Sequence, residues 1–105
     1  MKRPARLRLL GKVFRLRYVT HAKDDDDTPC SGVVDIDKQR ITIEDEQGFE
    51  TERDTILHEA IHAIEAMMDL GLKERQVHAL AGGVLAMLRD NPGFAEYLVD
   101  KDAAP

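Results

Sequence analysis

A chain of 105 residues, 43% of them hydrophobic and 33% charged, has the composition of one globular domain and is too short for two. It has no apolar run near the roughly 18 residues of a membrane span and no apolar signal-peptide core behind its basic N-terminus. The net charge of −5 gives no general attraction for nucleic acid. Because the single cysteine, Cys30, cannot form an internal disulfide, we expect a reducing, cytoplasmic setting.

The first predicted element is a strand over residues 12–19. Apolar and basic side chains alternate there, which is the period of a half-buried strand. The alternating positions are Phe14, Arg15, Leu16, Arg17 and Tyr18. We interpret residues 5–10 as an extension of this strand, in which Gly11 marks a bulge or bend.

This N-terminal region, residues 1–20, is strongly basic. Seven of the 15 lysines and arginines fall within the first 17 residues. A strip that binds nucleic acid or an acidic partner is one interpretation. The solvated face of a strand is the interpretation that we favour, so nucleic acid is not an expected partner.

Residues 21–32 predict a loop, because polar residues, proline and glycine interrupt the alternation. Four aspartates, residues 24–27, stand side by side. Calcium-binding loops place their ligands at alternate positions and need a sharp glycine turn, which this segment lacks. We therefore predict a mobile acidic loop, with His21 as an ordinary loop residue and no feature that makes Cys30 reactive.

Two short strands, over residues 33–37 and 40–45, are predicted next. Val34 and Ile36 share one face of the first strand, and Ile41 and Ile43 share one face of the second. The pattern predicts a β-hairpin, although its turn lacks the Asn-Gly type of signal.

The first predicted helix covers residues 52–69. Thr51 and Asp54 have the spacing of a capping box at its start. Apolar residues recur at helical spacing from Ile56 onward. Gly71 is the predicted C-cap, with Leu72 as its hydrophobic contact.

Two more helices follow, over residues 73–89 and about 92–100. Gly82 and Gly83 lie inside the second helix, and their cost to helix stability predicts a close approach of another backbone there. The third helix is predicted to begin with Asn91 as N-cap and Pro92 at its first position. Its apolar residues are predicted to pack inward: Phe94, Tyr97 and Leu98.

The first helix contains the motif H-E-x-x-H at His58, Glu59 and His62. Four residues make slightly more than one helical turn, so both histidines point from the same face and can hold one metal ion. Glu59 can reach a water on that metal without binding the metal, which is the arrangement of a zinc metallopeptidase. The chain has only one E-x-x-H, whereas a carboxylate-bridged di-metal protein needs two.

A catalytic zinc usually takes a third protein ligand, and the second helix offers two candidates one turn apart. His78 is our first choice, because it lies at the edge of the apolar stripe beside Val77 and Ala81. Glu74 is the alternative. It ranks second because the helix dipole already explains a carboxylate in the first turn of a helix, without a metal. Glu65, one turn after His62, is expected to face solvent or support that histidine rather than bind metal.

The stretch T-I-L-H-E-A-I-H-A-I-E, with L-A-x-x-V-L and R-D-N-P after it, resembles the small zincin-like metallopeptidases of phages and prophages. It is similar, more distantly, to SprT-like and ImmA/IrrE-type zincins. The resemblance covers roughly residues 32–100. It implies a small sheet packed on the active-site helix and a third ligand from the next helix. SprT-like members use a histidine, which would match His78, and gluzincin-like members use a glutamate, which would match Glu74.

We therefore predict a single α+β, zincin-like domain over residues 1–105, with its catalytic region at 33–100. A small, mainly antiparallel sheet should pack on the H-E-x-x-H helix, followed by a second helix and a short C-terminal one. The predicted function is zinc-dependent hydrolysis of peptide or protein substrates, with Glu59 as general base and an edge strand that binds extended peptide. A catalytically silent zinc-binding phage protein, with a structural, regulatory or interaction role, would carry the same motif.

Overall fold

A computed structural model describes residues 2–102 and shows four strands followed by three helices. The strands are β1 (Arg6–Leu9), β2 (Lys12–Val19), β3 (Gly32–Asp35) and β4 (Arg40–Glu44). The helices are α1 (Phe49–Met67), α2 (Glu74–Asp90) and α3 (Phe94–Val99). The predicted α+β class is confirmed, and no helix within residues 2–102 is long and apolar enough to cross a membrane.

The four strands form one mixed sheet in the order β1-β2-β4-β3. The two outer pairs are antiparallel, and the central pair of β2 with β4 is parallel. The loop between β2 and β3 carries the chain past β4 to the far edge, so the β3–β4 hairpin brings β4 back beside β2. As a result β3 is an edge strand and lies next to α1.

The core lies between one face of this sheet and α1. Alternation along each strand sends every second side chain toward the helix. The buried core residues are Phe14, Leu16, Ile41 and Ile43 of the sheet and Ala63 of α1. Large apolar side chains of this kind contribute about 1.5–3 kcal/mol each when removed from water. This face therefore holds α1, and with it the H-E-x-x-H motif, against the sheet.

Residues 5–10 do not extend β2, so that prediction was wrong. Leu10 and Gly11 form a two-residue turn, and β1 folds back to pair with β2. Both turn residues have positive φ, 50° for Leu10 and 82° for Gly11, which is the geometry of the tight hairpin turns that match strand twist. The sequence signalled this turn only through Gly11, which we interpreted as a bulge or bend, because leucine rarely adopts the conformation that Leu10 has.

The loop before β3, which we predicted to be mobile, contains hydrogen bonds of its own. The Asp24 carboxylate accepts hydrogen bonds from the backbone N–H groups of Asp26 and Thr28. A β-bridge between Lys23 and Pro29 closes the turn at its base. Aspartate side chains commonly stabilise turns in this way.

Helix α1 begins three residues earlier than predicted, with Gly48 as its N-cap, and Thr51 lies within its first turn. Its end also differs from the prediction of Gly71 as C-cap. Asp69 has a φ of 53°, and the N–H groups of Asp69 and Leu70 donate to the carbonyls of Ala66 and Glu65. This is a Schellman motif with aspartate in the left-handed position that glycine usually occupies.

Helix α2 matches the prediction to within one residue at each end, and it packs mainly against α1. Its buried residues are Val77 and Ala81. The predicted close approach at Gly82 and Gly83 was wrong, because both are exposed and a Cβ added at either would meet nothing within 4 Å.

Helix α3 begins at Phe94, not at Pro92, so the predicted Asn91 cap was wrong. The Asn91 side chain instead donates to the carbonyl of Met87 and closes the end of α2. Phe94 is half-buried, whereas Tyr97 and Leu98 are 59% and 60% exposed. The prediction that these last two residues pack inward was also wrong, because a helix of six residues does not reach back to the core.

Alanine substitutions at glycines should have opposite effects on stability in α2 and in β3. Gly82→Ala and Gly83→Ala should each stabilise the domain by about 0.5–1 kcal/mol, because alanine is the better helix former. Gly32→Ala should cost about 1–3 kcal/mol, because its Cβ would lie 2.7 Å from Thr55 Cγ2 and 3.2 Å from Glu59 Cγ. Urea denaturation of the single variants measures both effects, and a destabilised Gly82→Ala variant would show that α2 packs on a further surface.

Candidate metal centre

His58 and His62 lie one turn apart on α1 and are both half-buried. Their ring centroids are 4.7 Å apart, with an angle of 68° between the ring planes. The shared helix face that the motif predicts is therefore present, and the two imidazoles face the first turn of α2.

Glu74, the first residue of α2, places its carboxylate between the two histidines. Its Oε1 lies 2.6 Å from His58 Nε2, and its Oε2 lies 2.6 Å from His62 Nε2. Burial would raise the pKa of Glu74, but the charges and hydrogen bonds of His58 and His62 outweigh it and hold that pKa below its usual range. The carboxylate is therefore ionised and in contact with both rings at neutral pH.

The connection between the helices sets this position. The turn after Met67 reverses the chain, and the backbone N–H of Leu72 donates to Glu65 Oε2 at 3.2 Å. The other oxygen of Glu65 lies 3.9 Å from His62 Nδ1, on the side of the ring away from Glu74. Glu65 thus supports the connection and the back of His62, as the sequence suggested, and does not join the cluster.

His58, His62 and Glu74 form a group with the donor atoms of a metal site. One ligand atom from each lies within 4.8 Å of the other two. Two imidazole nitrogens and one carboxylate oxygen are donors that zinc takes in catalytic sites. The structure thus brings together both histidines of the motif and the alternative third residue.

His78, our first choice for the third ligand, lies one turn beyond Glu74 and borders the same cavity. Its ring centroid is 6.0 Å from that of His58, and it is not part of the three-residue group. The geometry favours Glu74 over His78, because Glu74 meets both motif histidines whereas His78 faces only one of them.

Glu59 lies beside this group without joining it. One of its oxygens is 4.0 Å from His58 Nε2, and its side chain is only 9% exposed. Burial raises the pKa of Glu59 to about 7, with His62 acting to lower it and Glu74 to raise it further. A carboxylate with a pKa near neutrality suits proton transfer at physiological pH.

A cavity of about 370 Å³ opens next to Glu59, His58 and Glu74. Its other wall contains residues that the sequence analysis did not assign to the site: Cys30, Ser31, Gly32, Asp54 and Thr55. Asp54 precedes His58 by four residues, so helical spacing alone could have placed it on the motif face. The loop residues have no comparable signal, because their position depends on how the loop before β3 crosses the sheet.

Comparison of the chain with protein-family models, with curated proteins and with solved structures found no match. The geometry of the cluster is therefore the basis of the functional proposal.

The raised pKa of Glu59 predicts an unusual pH dependence of stability after chelation of metal. Because the folded state binds this proton more tightly than the unfolded state, its contribution to stability is fully present below about pH 4.5. It is lost as the pH rises toward 7. As the pH rises from about 4 to about 8, the free energy of unfolding of Glu59→Gln should increase by about 1–3 kcal/mol relative to that of the wild type. Urea denaturation in the presence of a chelator tests this, with Glu50→Gln, on the exposed surface of α1, as the matched control. Parallel pH profiles for the wild type and Glu59→Gln would contradict the prediction.

Proposed function

We propose that this domain is a zinc-dependent, zincin-like peptidase in which His58, His62 and Glu74 hold the metal and Glu59 is the general base. One observation carries the proposal. Both carboxylate oxygens of Glu74, a residue on a different helix, meet the Nε2 atoms of the two motif histidines at 2.6 Å. The fold thus adds a third donor to the pair that the motif supplies.

The three residues fit zinc by their chemistry. Two imidazole nitrogens and one carboxylate oxygen form a donor set that would hold Zn²⁺, since catalytic zinc commonly takes three protein ligands of these kinds. Glu65 stays outside this donor set, because its nearer oxygen is 3.9 Å from His62 Nδ1, beyond hydrogen-bond distance. Zinc, when bound, lowers the pKa of a water molecule and polarises a substrate carbonyl.

Glu59 performs the proton transfers in this proposal. Its buried carboxylate lies within one water molecule of the ligand group and accepts the proton of the attacking water. The same group then gives that proton to the amine that leaves. Gly32 leaves room for the Glu59 side chain, since a Cβ at that position would lie only 3.2 Å from Glu59 Cγ.

The edge of the sheet next to the site supplies a place for an extended peptide. β3 pairs only with β4 within the sheet, and a groove of about 290 Å³ runs between β3 and the site residues Glu59, His62 and Glu74. A peptide that adds to β3 as a further strand would bind through main-chain hydrogen bonds, with little dependence on its sequence. Its carbonyl groups would pass beside Glu59.

The proposal is tested with protein purified without a histidine tag. We expect about one zinc per chain and cleavage of an unfolded protein substrate that stops on chelation and resumes when zinc is restored. The His58→Ala/His62→Ala double variant should lose both properties. Full zinc content in that variant would reject the site, and zinc without turnover in the wild type would indicate a silent metal-binding protein.

A further inference from the structure

The face of the sheet opposite α1 is rich in arginine. Strand alternation places the core residues of β1, β2 and β4 against α1 and sends the intervening side chains to the other face. We call this surface the arginine face, and it contains Arg6, Arg8, Arg15, Arg17 and Arg40. Four of the five are exposed, and Arg40 is half-buried.

The register of the sheet puts like charges directly beside each other. Arg6 is opposite Arg15 across β1 and β2, and Arg15 is opposite Arg40 across β2 and β4. The three form a row across three strands, about 10 Å wide at the usual strand spacing. Like charges directly opposite each other destabilise a sheet, so this arrangement does not serve the stability of the fold.

These arginines have no carboxylate partners in the part of the chain that the structure describes. No ion pair within 4.0 Å involves any of the five, and Arg17 makes only a long hydrogen bond of 3.4 Å to Thr42. Arg3 shows the contrast, because it lies outside this face and pairs with both Glu52 and Asp45. The arginine face therefore keeps its hydrogen-bond donors available.

The remaining side chains of the face restrict what it can bind. The strands contribute three valines to it, Val13, Val19 and Val33, and no phenylalanine or tyrosine, because Tyr18 and Phe14 point toward α1. Among residues 2–102, His21 at its border is the one ring near these strand residues. A strand surface of this kind offers no row of aromatic rings for stacking on unpaired bases, and without long apolar side chains it cannot anchor in a bilayer. The acidic residues Asp35 and Glu44 lie toward the β3 side, and Asp25 of the loop before β3 lines the same cavity as Arg17 and Arg40. These carboxylates limit the basic area to β1, β2 and the start of β4.

We propose that the arginine face binds the phosphate backbone of double-stranded nucleic acid. The planar guanidinium group donates paired hydrogen bonds to phosphate oxygens, which lysine does not match. A row of such groups on a rigid sheet fits a regularly spaced series of phosphates better than it fits one small anion. Binding through phosphates alone is independent of base sequence and strongly salt-dependent.

The sheet register favours a phosphate-binding strip over a solvated strand face as the interpretation of the basic N-terminus. A solvated face has no need for like charges paired across strands, whereas a phosphate-binding face needs its positive charges close together. The net charge of −5 means that the rest of the chain repels a polyanion, so the protein would approach a duplex with this face first. The inference does not depend on the proposed peptidase activity, because α1 and the metal centre lie on the other side of the sheet.

The test is fluorescence anisotropy of a labelled, mixed-sequence DNA duplex titrated with the full chain at several salt concentrations. For four or five phosphate contacts, the logarithm of affinity should fall with the logarithm of salt concentration with a slope of roughly −4. Arg15→Glu/Arg17→Glu should weaken binding at least about tenfold and reduce that slope by about 2. Arg89→Glu/Lys101→Glu, which makes the same charge change on exposed residues away from the sheet, is the matched control and should bind nearly as the wild type does.

The variants also separate binding from folding. Arg15→Glu places a carboxylate between Arg6 and Arg40, so thermal stability should be kept or increased while DNA binding is lost. Arg15→Lys/Arg17→Lys should retain most of the salt dependence, and His58→Ala/His62→Ala should bind DNA as the wild type does. Equal losses in the two glutamate double variants would overturn the proposal. So would binding of the wild type to phosphatidylserine vesicles without binding to the duplex, which would indicate a membrane surface instead.

Discussion

Glu74→Ala should weaken zinc binding by at least about a hundredfold, because loss of a residue that only supports a ligand already costs 10–100-fold. The carboxylate contributes an anionic donor and ties α2 to α1 through both histidines. His78→Ala should change zinc affinity by less than about tenfold, since its ring lies 6.0 Å from His58 and apart from the group. Competition with a chromogenic chelator measures both affinities.

The two variants also differ in how zinc affects stability. Zinc bound to the native state adds to the free energy of unfolding, so chelation should lower the melting temperature of the wild type and of His78→Ala. In Glu74→Ala most of this sensitivity should disappear. If instead His78→Ala loses zinc and Glu74→Ala keeps it, the histidine is the third ligand and the Glu74 carboxylate only pairs with the two imidazoles.

Glu59→Gln should reduce peptide hydrolysis by about 10²–10⁴-fold, the usual contribution of a general base, and should leave zinc content unchanged. The amide has nearly the same shape as the carboxylate but cannot accept the proton of water. Because Glu59 approaches only one motif histidine, at 4.0 Å, its replacement removes no ligand. Turnover of an unfolded protein substrate and metal analysis on the same preparation test both parts.

Glu65→Gln is the matched control for this experiment, since it makes the same carboxylate-to-amide change at a neighbouring position of the same helix. It should retain most of the activity, because Glu65 lies at the back of His62 and contacts the connection to α2. Undiminished turnover in Glu59→Gln would remove its assignment as base. Loss of zinc in the same variant would make Glu59 a ligand.

Local periodicity accounts for the parts of the fold that the sequence predicted well. The alternation over residues 12–19 and the helical spacing around His58 each depend only on near neighbours, and both elements are present. Leu10 and Asp69 were missed because non-glycine residues with positive φ have only weak sequence signals. The exposed position of α3 was missed because apolar spacing does not show whether a short helix has anything to pack against.

The third residue of the site and the arginine face required the structure for different reasons. Glu74 and His78 are one turn apart on α2, so any pattern argument accepts both. The length and turn geometry of the connection at residues 68–73 decide which of them meets the two imidazoles. For the arginines, the charge excess was visible in the sequence, but the pairing of Arg15 with Arg40 depends on a parallel register between distant segments.

The attachment of α2 has a consequence for how the proposed metal ion would enter and leave. Helix α2 packs mainly on α1, through Val77 and Ala81, and within residues 2–102 α1 is the helix that packs extensively on the sheet. If α2 swung about the connection, Val77 and Ala81 would become exposed while the core between α1 and the sheet stayed closed. A bound ion would then exchange through a local opening of the domain. Amide hydrogen exchange in α2 should then slow markedly when zinc is added, whereas exchange in β2 and β4 should change little. Bound zinc would then stabilise the docked position of α2 and add little to the stability of the sheet and α1.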